Sequence, residues 1–192
     1  MIFKKMLKNL ITINFFIFLI LFSSSSLANS EFELWINDFK KKAISSGISK
    51  IVVEDACKWK PKNLLDAVLI DAPCSSTGTL RRNPDIFYTK TKRDIEKLTG
   101  IQLTLLKAAK SMVKKGGIIV FSTCSLLPQE GEDLIDSVLV EDKTLSRAPI
   151  SAEELGLMPE LVTKVGDLRT LPVHYSNLGG MDGFYAARLI RN

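Results

Sequence analysis

The rhythm of hydrophobic and polar positions changes several times along this chain, and each change predicts an element. Lys4, Lys5 and Lys8 precede Leu10 to Phe22, a run without charge, and Ser23-Ser24-Ser25-Ser26-Leu27-Ala28 follows. That order predicts a secretory signal peptide over residues 1–28, cleaved after Ala28. The apolar run is shorter than the ~20 residues that span a bilayer. Residues 31–46 carry Phe32, Trp35, Ile36, Phe39, Ala43 and Ile44 at helical spacing, so an amphipathic helix stopped by Gly47 is expected.

From Ile51 the pattern turns to strands alternating with helices. Ile51-Val52-Val53 reads as a short strand. Leu65 to Ile70 is an apolar run broken only at Asp66 and Ala67, as in a strand buried on both faces. Asp94 to Val113 is expected to be helical, with Ile95, Leu98, Ile101, Leu105, Leu106, Ala109 and Met112 on one side. Lys114-Lys115-Gly116-Gly117 would close it. Ile118 to Phe121 is the next strand and Glu130 to Val140 the next helix. Gly179-Gly180-Met181-Asp182-Gly183 predicts a turn before a last strand, Phe184 to Ile190. The alternation implies an α/β fold with a mostly parallel, doubly wound sheet.

Composition narrows the picture modestly. With 192 residues, 46% of them hydrophobic, the chain can build one domain with a real core. The formal charge of +5 invites a nucleic-acid partner, yet three of the lysines lie in the first eight residues. Without residues 1–28 the balance is 23 basic against 21 acidic side chains, so basicity alone says little about RNA. Three cysteines, Cys57, Cys74 and Cys124, cannot all pair within one chain. That odd count suits a cytosolic enzyme with working thiols better than an exported protein, so cysteine usage and the signal peptide point to different compartments.

The candidate chemistry lies in two loops. Asp71-Ala72-Pro73-Cys74-Ser75-Ser76-Thr77-Gly78 leaves one expected strand, and Ser122-Thr123-Cys124-Ser125 leaves the next. In open parallel sheets ligands bind beyond the carboxyl ends of the strands. Neighbouring strands are ~4.8 Å apart, so Asp71, Cys74 and Cys124 can line one pocket. Cys57 has no motif around it and is expected to be buried filler. His174, the only histidine, is expected at the surface, and Trp59 in packing.

Together the two loops and the closing Gly-Gly-Met-Asp-Gly-Phe segment resemble the Sun/Nop-type (RsmB-like) ribosomal RNA cytosine-C5 methyltransferases, over residues 51–192. The resemblance implies S-adenosyl-L-methionine as cofactor, ribosomal RNA as partner, no metal, and work in the cytoplasm. It implies that Cys124 is the nucleophile attacking carbon 6 of cytosine, and that Cys74 assists proton removal and release of the enzyme. Asp71 would meet the cofactor and base, Asp55 the adenosine end of the cofactor, and Arg81 and Arg82 the RNA phosphates. A methyltransferase acting on exocyclic amines would instead want an Asp/Asn-Pro-Pro-Tyr/Phe loop, which Pro73-Cys74 replaces.

The family's glycine-rich cofactor loop, of Cys-Ala-Ala-Pro-Gly-Gly-Lys type, is absent from this sequence. Its sheet order is 3-2-1-4-5-7-6, so a partial Rossmann-like class I methyltransferase sheet lacking strands 1 and 2 is expected. Ile51–Val53 would then be strand 3 without its neighbour, and Leu65–Ile70 strand 4 as an exposed apolar edge. Residues 29–50 would be helix and junction, with a join near Ser49-Lys50-Ile51. Residues 1–49 weakly resemble the start of exported lytic murein transglycosylases, which leaves a second reading open: an exported cell-wall fragment, or a non-catalytic chimera.

Overall fold

The computed structural model describes residues 30–48, 50–156 and 158–192. The expected signal peptide, residues 1–28, lies outside them. The chain divides into two compact units, residues 1–53 and 54–192. Among the described residues no helix is long and apolar enough to cross a membrane.

In the first unit, helix α1 runs over residues 30–45. Phe32, Trp35 and Phe39 stack along it, with ring centroids 6.0 and 5.5 Å apart. Gly47 ends it as expected. Its φ of +91° lets the Gly47 N–H reach the Ile44 carbonyl (3.0 Å) and the Ile48 N–H the Ala43 carbonyl (3.0 Å). Ile51–Val53 forms no strand. This three-residue apolar run pairs with nothing among the described residues, and an unpaired strand has no ladder to hold it extended.

The second unit begins its regular structure with β1 (Leu65–Asp71), then short α2 (Ile86–Thr89), α3 (Lys92–Met112) and β2 (Val113–Thr123). It continues with α4 (Glu132–Glu141), β3 (Leu145–Arg147), α5 (Ala152–Leu155), β4 (Leu168–Thr170) and β5 (Phe184–Arg191). The sheet order is β1-β2-β5-β3, with β4 also on β5. Only β1 and β2 are parallel; β5 runs antiparallel to β2, β3 and β4. The sheet is therefore mixed rather than mostly parallel. The reason is local: β4 and β5 are consecutive arms of a wide hairpin, so β5 returns against the direction of β2 and wedges between β2 and β3.

Helix α3 starts two residues before the expected Asp94. Thr91 and Asp94 form a reciprocal capping box, with the Asp94 N–H on the Thr91 hydroxyl and the Thr91 N–H on the Asp94 carboxylate (2.9 Å). Its end differs from expectation. Val113 already pairs with Leu65, and Ala67 next pairs with Ile118, so Lys114–Gly117 bulges out within β2 instead of capping the helix. Gly116 at φ +73° turns the bulge, and Lys114 Nζ meets Asp66 Oδ1 at 2.8 Å across its base.

Alternation along the strands puts Ile70, Ile119, Phe121, Tyr185, Ala187 and Leu189 on one face, packed with Leu106 and Ala109 of α3 and Leu134, Ile135 and Val138 of α4. The other face of β1 is open. Leu69 is 71% exposed, so β1 is not buried on both sides, and its outer edge has no partner among the described residues.

Candidate active site

The parallel ladder sets the two cysteine loops side by side. Asp71 is the register partner of Ser122, and the Ala72 N–H donates to the Ser122 carbonyl at 2.9 Å. The Ser122 hydroxyl donates back to the Ile70 carbonyl (3.0 Å). Both chains then turn out of the sheet at its carboxyl end. Cys74 and Cys124, fifty residues apart, arrive with their sulfurs 3.4 Å from each other.

Burial raises the Cys124 thiol above its ordinary range. The Ser76 hydroxyl opposes that shift, whereas the Cys74 sulfur adds to it. At neutral pH the thiol is therefore protonated, and a proton must leave before it can act as a nucleophile. Ser76 itself stands in left-handed backbone at φ 59°, which turns the loop back on itself after Cys74.

Beneath the sulfurs lies a buried polar network. Glu130 is fully buried and accepts from the Ser75 N–H (2.9 Å), the Ser75 hydroxyl, the Ser125 hydroxyl (2.6 Å) and Gln102 Nε2 (3.1 Å). The same Gln102 nitrogen donates to the Pro73 carbonyl at 2.9 Å. Thr77 Oγ1 accepts from the Leu126 N–H (2.9 Å) and lies 3.1 Å from the Ser125 hydroxyl. The Ser125 carbonyl accepts from Arg169 Nη1 (2.7 Å), whose guanidinium stacks 4.7 Å over the Tyr185 ring and pairs with Glu132.

The closing glycine segment docks on the same loops. The Gly78 N–H donates to the Cys124 carbonyl and the Gly183 N–H to the Gly78 carbonyl, both at 2.8 Å. Asp182 Oδ2 accepts from Arg82 Nε at 2.6 Å, and its Oδ1 lies 3.8 Å from Arg81. Tyr185, just beyond, donates its buried hydroxyl to Asp167 (2.6 Å).

The expected site residues are thus brought together in part. Cys74, Cys124 and the Gly179–Tyr185 segment converge. Asp71 is exposed at the end of β1, and its carboxylate makes no hydrogen bond or ion pair among the described residues. Asp55 sits in its own turn, accepting from the Cys57 N–H (3.0 Å) and pairing with Lys58 (3.3 Å), which hold its carboxyl below the usual range. Arg81 and Arg82 are largely exposed but face Asp182. Cys57 is half-buried rather than buried filler, and His174, also half-buried, accepts the Leu171 N–H on Nδ1. Glu130 and Gln102 escape the sequence reading as site residues, and Asp182 enters it only within the closing glycine segment, with no role of its own. The available signal was the repeated Cys-Ser pair in two loops, with a carboxylate five residues after the second serine.

Two solved structures share this architecture. The crystal structure of PH0851 has a TM-score of 0.69 at 29% identity, over 81% of this chain and 34% of that one. The structure of NSun6 from Pyrococcus horikoshii with SFG has a TM-score of 0.61 at 23% identity, over 81% of this chain and 38% of that one. A mixed sheet with helices packed on it and loops gathered at the strand ends is a Rossmann-like methyltransferase fold. Residues 20–190 match the family described as 16S rRNA methyltransferase RsmB/F, and the chain belongs to that family. The match takes in α1 and begins inside the stretch expected to be a signal peptide. The ribosomal RNA small subunit methyltransferase B of Pectobacterium atrosepticum is 36% identical over 134 residues, 70% of this chain and 28% of that protein. A probable counterpart from Synechocystis is 39% identical over 129 residues, 67% of this chain and 28% of that one. The chain thus spans less than a third of the length of these curated relatives.

Proposed function

We propose that residues 51–192 carry the cysteine-bearing part of an S-adenosyl-L-methionine-dependent RNA cytosine-C5 methyltransferase acting on ribosomal RNA. The observation that carries this reading is the 3.4 Å contact between Cys74 and Cys124 at the carboxyl ends of two parallel strands. Cytosine is a poor electrophile, so a thiolate must first bond to carbon 6 and load electron density onto carbon 5. Cys124, having lost its proton, is the group assigned to that bond. Once carbon 5 is methylated its proton has to leave and the Cys124–carbon 6 bond has to break. Cys74 is close enough to take part in that second stage.

S-adenosyl-L-methionine would supply the methyl group. The residues present fit it in part. Asp71 is exposed, without a partner among the described residues, at the strand end where a ligand would lie, whereas both oxygens of Asp55 are engaged by its own turn. This sequence holds no glycine-rich cofactor loop, and among the described residues the outer edge of β1 has no partner strand. A ribosomal RNA substrate places the work in the cytoplasm. Arg81 and Arg82 would reach phosphate by exchanging Asp182 for it.

Covalent trapping on RNA containing 5-azacytidine tests the reading. The full chain should form a denaturation-resistant adduct that Cys124→Ala abolishes and Cys74→Ala does not. An adduct that survives in Cys124→Ala would overturn the assignment. Calorimetric titration with S-adenosyl-L-methionine measures separately whether the chain holds the cofactor alone.

A further inference from the structure

Glu130 is fully buried, no cation among the described residues lies within ion-pair distance of it, and the mechanism above does not use it. A carboxylate taken out of water is expensive unless donors replace the water. Here the donors come from three separate segments: Ser75 through both its N–H and its hydroxyl, Ser125 through its hydroxyl, and Gln102 of α3. Each serine directly follows one of the two cysteines. Gln102 extends the hold to the residue before Cys74, through the Pro73 carbonyl. Cys74 is thus gripped on both sides, and Cys124 on one, by groups that meet at a single carboxylate.

We propose that Glu130 is a positioning residue, a clamp whose carboxylate ties the two Cys-Ser loops together and sets the separation of Cys74 and Cys124. Stability alone does not call for such a network, because a site lined throughout by apolar side chains packs as well as one built from a buried carboxylate and its donors. What an apolar side chain cannot do is fix two loops in register one residue from each sulfur. The consequence for methyl transfer rests on the function proposed above; the clamp itself is a statement about two thiols and is testable without RNA or cofactor.

The test is the rate at which Cys74 and Cys124 close into a disulfide in the full chain, with Cys57→Ser removing the third thiol. Diamide is the oxidant: both S–H bonds break, one S–S bond forms, and the two electrons and two protons reduce diamide to its hydrazine. Closure is followed by mass spectrometry of the linked peptides. The parent should close rapidly, and Glu130→Ala should close at least tenfold more slowly with an unchanged circular dichroism spectrum. Glu130→Gln should stay within threefold of the parent, since its amide oxygen still accepts from Ser75 and Gln102 while the hydroxyls turn to accept from its NH2. A folded Glu130→Ala that closes at the parent rate overturns the clamp, as does Glu130→Gln closing no faster than Glu130→Ala. Should Glu130→Ala fail to fold, Ser125→Ala carries the test, and closure at the parent rate in that variant overturns the proposal equally. Failure of RNA trapping leaves these rates unchanged, so the two ideas fall separately.

Discussion

Gly78 stands where three loops cross, and no other residue can stand there. A Cβ on it would lie 2.1 Å from the Gly183 carbonyl oxygen and 2.6 Å from that of Cys124, both backbone atoms that cannot rotate away. Gly78→Ala should therefore push the Cys124 loop off the Cys74 loop. The expected cost is about 3 kcal/mol, the upper end of the usual range for overpacking, read as a drop in the urea midpoint. A midpoint within experimental error of the parent would mean the loops are slacker than their hydrogen bonds imply. At this scale the sequence was legible where a residue type is conspicuous: two cysteines in tight loops after apolar strands announce themselves. Glu130 was not, because a glutamate opening an amphipathic helix reads as a solvated first-turn acid. Only the tertiary approach of Ser75 and Ser125 makes it a buried acceptor.

Among elements, α3 and α4 are joined at their ends by Lys110 in the last turn of α3 and Asp142 just past α4. The Lys110 ammonium, then the Thr144 hydroxyl, pull the Asp142 carboxyl down to about 2. A carboxyl depressed in the folded state adds stability above its unfolded pKa, near 4, and loses it as the pH falls through 2. Asp142→Asn should lower the melting temperature at pH 6 and narrow the gap to the parent by pH 2.5. A gap that stays constant between the two would show that the pair contributes nothing. Periodicity located α3, β1, α4 and β5 to within a few residues. It failed at Ile51–Val53, where apolar character lacked a partner strand, and at Lys114–Gly117, where a basic glycine-ended segment was a bulge tied by Lys114 to Asp66.

For the whole molecule, the described sheet is asymmetric: helices cover one face, while β1 offers an open edge and, on its other face, an exposed Leu69. Flat apolar edges recruit other chains. Leu69→Lys should reduce self-association in sedimentation velocity at a fixed concentration while shifting stability by no more than about 0.5 kcal/mol, as for other surface changes. Unchanged sedimentation would mean that this edge does not drive assembly. The sheet's mixed direction was not legible because strand polarity depends on how a connection returns. Residues 171–183 between β4 and β5 give no periodic signal of their own.

β5 has a further consequence, in the order of synthesis. It is the common partner of β2, β3 and β4, yet it leaves the ribosome after all three. Until it emerges, only the β1–α3–β2 segment has its neighbours, and the two cysteine loops can meet before the Gly183 N–H exists to bond the Gly78 carbonyl. Closure of the remaining sheet therefore waits on β5 and rests on contacts distant in sequence, the kind that form slowly.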